Sequence, residues 1–422
     1  MLNKITSILF KNKQFHKLSV YGFGQLFNLV TPLLIVPYIV EVCGEENFGK
    51  SAVGMAIVFF LIVFVDYGSD IIGVREISIN RDNHTKREKI FLTTYVVKFL
   101  ILILVMIIAT LLFIYVPYFR KEKTLFIFSL SVLLGQFLNP TWFLQGVENV
   151  KWITMLNIIS KSIYLAGIFL TIKTVDDYIY INLWWGLGMI IANLFTLLLV
   201  FKKYNFKLSY IPLFEIKNHL RKDFSMFSSQ IFVSLQLYAP VIMLSYFGNN
   251  LMAGQYKIIE QIIVVFKTYI FLFFNFIFPK VCYEVEFNPA KAFRNWKIHN
   301  GLNFVFVLFG MVSLYIYAYE IVSYFNPTNR YFLSQLLEVA VFIPFLLAIS
   351  IPLKQLVLAF NHKRFYIQLT AIIVLFNLLL IRILIPIYEV YGVLYSLIFT
   401  EFIMILFYLS CVRKNVLKIS SK

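Results

Sequence analysis

Twelve apolar runs of about twenty residues follow one another along the sequence, at 17–40, 48–70, 91–116, 124–145, 152–172, 178–201, 224–247, 252–279, 300–322, 333–359, 365–386 and 390–412. A helix of that length crosses a hydrocarbon core of roughly 30 Å. In lipid every backbone N–H and C=O must be paired internally, and a helix does this within itself. The alternating segments of a transmembrane barrel are not visible. The fold class expected is therefore all-α integral membrane, with about 12 transmembrane helices. No stretch between runs is long enough for a soluble domain. The composition agrees: 60% of the 422 residues are hydrophobic and 14% charged, against roughly a quarter charged in a soluble domain. The first run is too long for a cleaved signal peptide and lacks a small-residue cleavage pattern, so it is expected to remain as the first helix.

Charge sets the expected orientation. With the N-terminus cytoplasmic, 26 of the 38 Lys and Arg residues fall in inside segments and only Lys50, Arg120, Lys121, Lys123, Lys173 and Arg330 fall outside. The positive-inside rule then places both termini in the cytoplasm. The net charge of +17 is accounted for by basic loops lying against anionic membrane lipid, and no nucleic-acid partner is needed. Cys43, Cys282 and Cys411 are too dispersed for a disulfide framework or a zinc site. No cofactor is implied, and no residue pattern marks a catalytic centre.

The basic segment 202–223 divides the runs six and six. It is read as a cytoplasmic linker between an N-terminal bundle, 1–201, and a C-terminal bundle, 224–422. Short matches suggest a duplication: Gln25 and Gln230 lie in Y-G-F-G-Q-L-F and F-S-S-Q-I-F, and Gly49 and Gly254 follow at the same offset. The fourth and tenth runs end in L-Q-G-V-E-N-V-K and L-A-F-N-H-K. An even number of helices per repeat puts both repeats the same way up, related by a pseudo-two-fold along the membrane normal, with a cavity expected between the bundles.

Charges inside the runs point to function, because one at a helix centre costs about 2.5–3.5 kcal/mol even on the lenient scale. Lys98, Arg382 and Lys354 lie near enough to run ends to snorkel. Lys161 does not, and Asn157 and Tyr164 share its helix face. Lys257, Glu260 and Lys267 form a polar stripe on the eighth run. Both stripes are read as cavity-facing, against the alternatives of a self-neutralising Lys257–Glu260 pair and a structural bond from Lys161 to a facing carbonyl. Asp66, Glu260 and Glu401 are the candidates for coupling to protons or sodium, since burial raises a carboxyl pKa; Asp70 is placed at the cytoplasmic boundary. Gln25, Asn28 and Gln230 add uncharged polar groups to the first and seventh runs, where interhelical bonding is the other reading.

The fourth run ends in N-P-T-W-F-L-Q-G-V-E-N-V-K-W. Pro140 removes a donor and bends or ends the helix. Asn139 and Gln145 are expected to satisfy the freed carbonyls. Trp142 and Trp152 are expected at headgroup depth. With Gly146, the segment reads as a kinked cytoplasmic end, either a gate or an interfacial anchor.

P-T-W-F-L-Q-G, with D-Y-G-S-D-I-I-G-V-R-E-I-S after E-N-F-G-K, resembles the polysaccharide biosynthesis family. This family comprises the Wzx-type O-antigen and capsule repeat-unit flippases, in the superfamily that also holds the multidrug exporters. The resemblance implies movement of undecaprenyl-pyrophosphate-linked oligosaccharide from the cytoplasmic to the outer leaflet of a bacterial inner membrane, by alternating access and with an ion gradient. It also implies that a repeat-unit polymerase and a chain-length regulator are partners. Lys161, Lys257 and Lys267 are then the cations that would offset desolvation of the pyrophosphate.

Three other readings compete with this one. A multidrug antiporter of the same superfamily would favour a cavity rich in carboxylates, whereas this chain has more buried Lys than acid. A polymerase or glycosyltransferase would need large outer loops, and none exceeds roughly ten residues. A purely structural scaffold would not tolerate uncompensated lysines in mid-membrane.

Overall fold

The computed structural model describes residues 13–287 and 289–420, the side chains of 13–21, 23, 25, 26, 289, 290 and 414–420 excepted. Every long segment among them is helical, and none is a strand. Among the described residues, ten helices are long and apolar enough to cross a membrane. Two of the ten each hold two spans. Lys13–Asp66 breaks at Gly44, whose φ of 80° is open to glycine without steric cost. The last helix, from Lys363, breaks at Glu389, φ 52°.

The described residues therefore hold the twelve spans read from the sequence: α1 (13–43), α2 (45–66), α3 (His84–Tyr115), α4 (Lys123–Gly146), α5 (Val150–Thr171), α6 (Val175–Tyr204), α7 (Leu213–Phe247), α8 (Asn250–Phe287), α9 (Lys291–Ile316), α10 (Arg330–Ala359), α11 (363–388) and α12 (390–413). The chain is a multi-pass membrane protein.

The helices outrun the apolar runs where polar residues continue the helical path. α7 begins at Leu213, so half of the basic segment, including Lys217, Arg221 and Lys222, is helix. Only 205–212 is irregular. Lipid-facing positions are apolar, as on α3, where Leu104 and Ile107 are more than half exposed. In the bilayer such a face is solvated by acyl chains and needs no partner.

The chain divides into two compact units: Lys50–Tyr238 with the residues up to Cys43, and Ala239–Lys422 with Gly44–Gly49. The first unit has a core of Ile77, Phe91, Trp142, Phe143, Val200 and Phe206. The second is built around Ile277, Val281, Leu356, Val357, Ile373 and Tyr408.

The helix ends matched in the sequence adopt one geometry. At the end of α4, Glu148 is left-handed (φ 56°) and the Asn149 N–H reaches back to the Leu144 carbonyl. At the end of α10, Asn361 is left-handed (φ 63°) and the His362 N–H reaches the Val357 carbonyl. Both are six-to-one closures of the Schellman kind. The end of α6, at Asn205 and Phe206, closes in the same way. The shape is therefore not special to the matched pair.

α4 is broken where proline requires it. Helix stops at Phe137, passes through Asn139 and Pro140, and resumes as the short turn Thr141–Gly146. Asn139 Oδ1 accepts from the Thr141 N–H at 2.9 Å, while its Nδ2 donates to Gln136 Oε1 at 3.3 Å. The expectation that Asn139 satisfies freed carbonyls is corrected: it caps the Thr141 amide that opens the next turn. Trp142 is 4% exposed, stacks on Phe91 at 5.8 Å and packs against Gly73. The sequence placed it at headgroup depth because tryptophans favour that level. Here the glycine leaves room for the ring, so it enters the core.

Candidate functional site

The candidate site in the first unit starts from two helices that pack unusually close. A Cβ at Gly188 of α6 would overlap the Ser160 carbonyl of α5, and one at Gly167 of α5 would overlap the Trp184 ring of α6. This spacing brings the next residues on each helix face to face. Lys161 on α5 lies with its ammonium 3.1 Å from the centroid of Trp185 on α6 and 6.0 Å from that of Tyr164. Tyr164 meets Trp185 edge-on at 5.0 Å, and Phe59 of α2 meets it edge-on at 5.9 Å. Tyr238 of α7 extends the row, 5.6 Å from Phe59. Lys161 and Trp185 are half-buried. Among the described residues no carboxylate lies within ion-pair distance of Lys161. The sequence placed Tyr164 beside Lys161, as found. Asn157 is half-buried on the same helix.

A second polar cluster lies near the start of the P-T-W-F-L-Q-G segment. Lys98 Nζ of α3 pairs with Asp66 Oδ1 of α2 at 2.9 Å, and Gln136 Nε2 of α4 donates to Asp66 Oδ2 at 2.7 Å. Lys98 is 1% exposed, which corrects the expectation that it snorkels: its stem leads to Asp66. These residues line a cavity of about 140 Å³ with Ser69, Asp70, Asn139, Thr141, Trp142 and Gln145. Gly146, at the end of the same turn, is tight against Ile77.

The D-Y-G-S-D segment, which gives Asp66, Ser69 and Asp70 to this lining, leaves the α-helical path. Tyr67 and Gly68 are left-handed, and Ser69–Gly73 forms one π turn. The segment meets the start of α7. Tyr67 stacks on Phe227 at 4.5 Å, Lys222 pairs with Glu76, and Gln230 Nε2 donates to both Asp70 oxygens at 2.8 and 2.9 Å. Gln230 is thus tied to a carboxylate on α2's extension, a partner the sequence did not foresee. Asp223, 0% exposed, has His219 at 3.4 Å. Burial raises the Asp70 carboxyl, and the Gln230 hydrogen bonds counter it.

In the second unit Lys257 Nζ pairs with Glu260 Oε2 at 2.6 Å on α8, the self-neutralising alternative. Lys267, one face further along, interacts electrostatically with Glu260 and with Glu401 of α12. Glu401 accepts from Ser350 Oγ of α10 and also interacts with Lys354. Lys354 lies 4.7 Å from the Tyr366 ring centre and 5.6 Å from that of Phe274. Arg382 lies over Phe247 at 4.1 Å.

Lys161 and Tyr164 are therefore assembled in one unit, and Lys257, Glu260, Lys267 and Glu401 in the other. Asp66, Asn139, Trp142 and Gln145 share a cavity apart from Lys161. Asn28 is half-buried on α1, and the side chain of Gln25 lies outside the described residues. Sequence reasoning missed Lys98, Trp185 and Asp223. Lys98 had a signal: a lysine and an aspartate in neighbouring apolar runs neutralise one another at less cost than either bears alone. Trp185 had none beyond its place one turn before a glycine.

Comparison with known proteins adds five findings. The profile of the family described as "Polysaccharide biosynthesis protein" matches residues 15–281. A protein of Escherichia coli (strain K12) named "Putative O-antigen transporter" is 23% identical over 391 residues, covering 92% of this chain and 94% of its own length. A protein of the same name from Shigella dysenteriae is 25% identical over 407 residues, covering 93% and 98%. Among solved structures, the lipid II flippase MurJ in an inward closed conformation aligns with a TM-score of 0.72 at 14% identity, over 93% of this chain and 87% of that one. An inward-facing multidrug resistance transporter of the MATE family, in the MOP superfamily, aligns at 0.67 and 14%, over 97% and 100%. At that identity the likeness to the solved structures is one of fold.

Proposed function

We propose, for a chain that belongs to the polysaccharide biosynthesis protein family, that it moves an undecaprenyl-pyrophosphate-linked oligosaccharide from the cytoplasmic to the outer leaflet of a bacterial inner membrane. It works by alternating access, both termini lie in the cytoplasm, and it performs no bond chemistry on its cargo. The relatives' names, O-antigen transporter, support the substrate class. The observation that carries the reading is Lys161, a mid-membrane ammonium with aromatic neighbours and no carboxylate at ion-pair distance among the described residues. Such a charge is retained at a cost unless something anionic visits it. A diphosphate is the anion that a lipid-linked sugar brings into the bilayer.

Each group takes a role in this reading. Lys161 and Lys267 meet the diphosphate at different stages, with Lys257 held in reserve by Glu260. Asn157, Tyr164, Asn28 and Gln25 contribute hydrogen bonds to the head. Glu401 carries the coupling cation or proton, because Asp66 is already committed to Lys98 and Glu260 to Lys257. The Asn139–Gly146 turn and the Asp70–Gln230 bond belong to the cytoplasmic gate. The repeat-unit polymerase and chain-length regulator act on the product in the outer leaflet.

Deleting the gene in its host and extracting lipids tests the reading. Lipid-linked repeat units should accumulate facing the cytoplasm while surface polysaccharide disappears. Unchanged surface polymer and no accumulated lipid-linked sugar would overturn it.

A further inference from the structure

We infer that Trp185 is a carbohydrate-stacking platform for the first sugar of a diphosphate-linked head, and that Lys161 covers it until the diphosphate arrives. The inference rests on the reading of Lys161 as a diphosphate contact and adds the part of the site that holds the sugar.

The geometry supplies the argument. The ammonium of Lys161 sits 3.1 Å from the centroid of Trp185, on the ring's face. The other aromatic neighbours, Tyr164 and Phe59, approach at interplanar angles of 68° and 70°. Neither ring lies parallel to the indole, so neither is stacked on it. The ring is set by the close passage of α6 along α5 at Gly188, so it is a preformed surface of the kind ligand sites use. It is half-buried, not sealed in the core.

A lysine over an aromatic face is held by the ring's quadrupole, an attraction weaker than that of a phosphate oxygen in a medium of low dielectric. A diphosphate entering the site therefore draws the ammonium off the indole. No bond is made or broken; the Lys161 stem swings and the face opens. The apolar C–H face of a pyranose next to the phosphate then finds a flat aromatic surface within the reach of that stem. Stacking depends on the ring face and not on particular hydroxyls, as with bases on aromatic platforms. A site built this way accepts more than one sugar, provided that a phosphate precedes it.

The test is equilibrium binding to the purified full-length protein in detergent with two probes, farnesyl diphosphate and farnesyl diphosphate carrying N-acetylglucosamine. For Trp185→Leu we expect an affinity loss of about ten-fold for the sugar-bearing probe and none for the bare one. Trp185→Phe, which keeps a ring face, should recover most of the loss and guards against a folding defect. Lys161→Met should weaken both probes. As an independent readout, bare farnesyl diphosphate should raise acrylamide quenching of the wild-type tryptophan emission, and this rise should be absent from Trp185→Phe. Equal weakening of both probes by Trp185→Leu, or no weakening of either, overturns the platform while leaving the diphosphate contact standing. Failure of the wild type to bind either probe overturns both.

Discussion

Gly49 and Gly254 are packed against each other's helix: a Cβ on Gly49 would overlap the Asn250 carbonyl, and one on Gly254 would overlap the Glu45 carbonyl. The first turn of α2 and the first turn of α8 approach with backbone against backbone, as small residues permit between membrane helices. Gly49→Leu or Gly254→Leu should destabilise the protein by about 1–3 kcal/mol through overpacking. Thermal unfolding followed by fluorescence-detected size exclusion would show it. A Tm equal to the wild type in both variants would mean that the crossing has room to spare.

Asp66 and Lys98 invite a double-mutant cycle. Removing either partner alone leaves a buried charge uncompensated, at about 3–5 kcal/mol. Asp66→Asn with Lys98→Met removes both charges and should be more stable than either single variant. Additive losses, measured as chemical or thermal unfolding in detergent, would show that the two charges act independently.

The turn after Pro140 should respond residue by residue. Asn139→Ala loses the cap on the Thr141 amide and should cost about 1 kcal/mol. Trp142→Ala empties a core position and should cost about 3–5 kcal/mol. Gln145, exposed beside the polar cavity, should tolerate alanine in stability while losing transport. Comparable stability losses at all three positions would reduce the segment to packing.

Much of this fold was legible from hydrophobicity alone, because lipid leaves helices as the solution for runs of that length. The spacing of the apolar runs gave twelve spans, including the two pairs joined at a single break with no connecting loop, at Gly44 and Glu389. What periodicity could not give was partnership. Lys98 looked like a snorkelling residue because its distance to a run end is written in the sequence, whereas Asp66 on another helix is not. Trp142 looked like an anchor because the glycine that makes room for it, Gly73, lies in a different segment. Gly49 and Gly254 were noticed as equivalent positions in a repeat; that they touch is a tertiary fact. Lys161 was found by its depth, and its aromatic cover could not be, since Trp185 differs in sequence from the many interfacial aromatics only in what it faces.

Orientation rests on charge asymmetry and is directly measurable. In a cysteine-free background, Lys121→Cys should react with an impermeant thiol reagent on intact cells, and Asn218→Cys should react only after permeabilisation. Both side chains are exposed. The reverse pattern would place the termini outside and move the Asn139–Gly146 turn to the opposite face of the membrane.

Everything proposed for the cargo passes through one ammonium, so the decisive measurement is surface polysaccharide and lipid-linked intermediate in a deletion strain carrying Lys161→Met or Lys161→Arg at matched membrane levels. Lys161→Met should abolish surface polymer and accumulate lipid-linked repeat units. Lys161→Arg should restore part of the polymer, because the charge survives while its geometry changes. Wild-type polymer from the Lys161→Met strain would contradict the diphosphate contact and, with it, the assignment of this site.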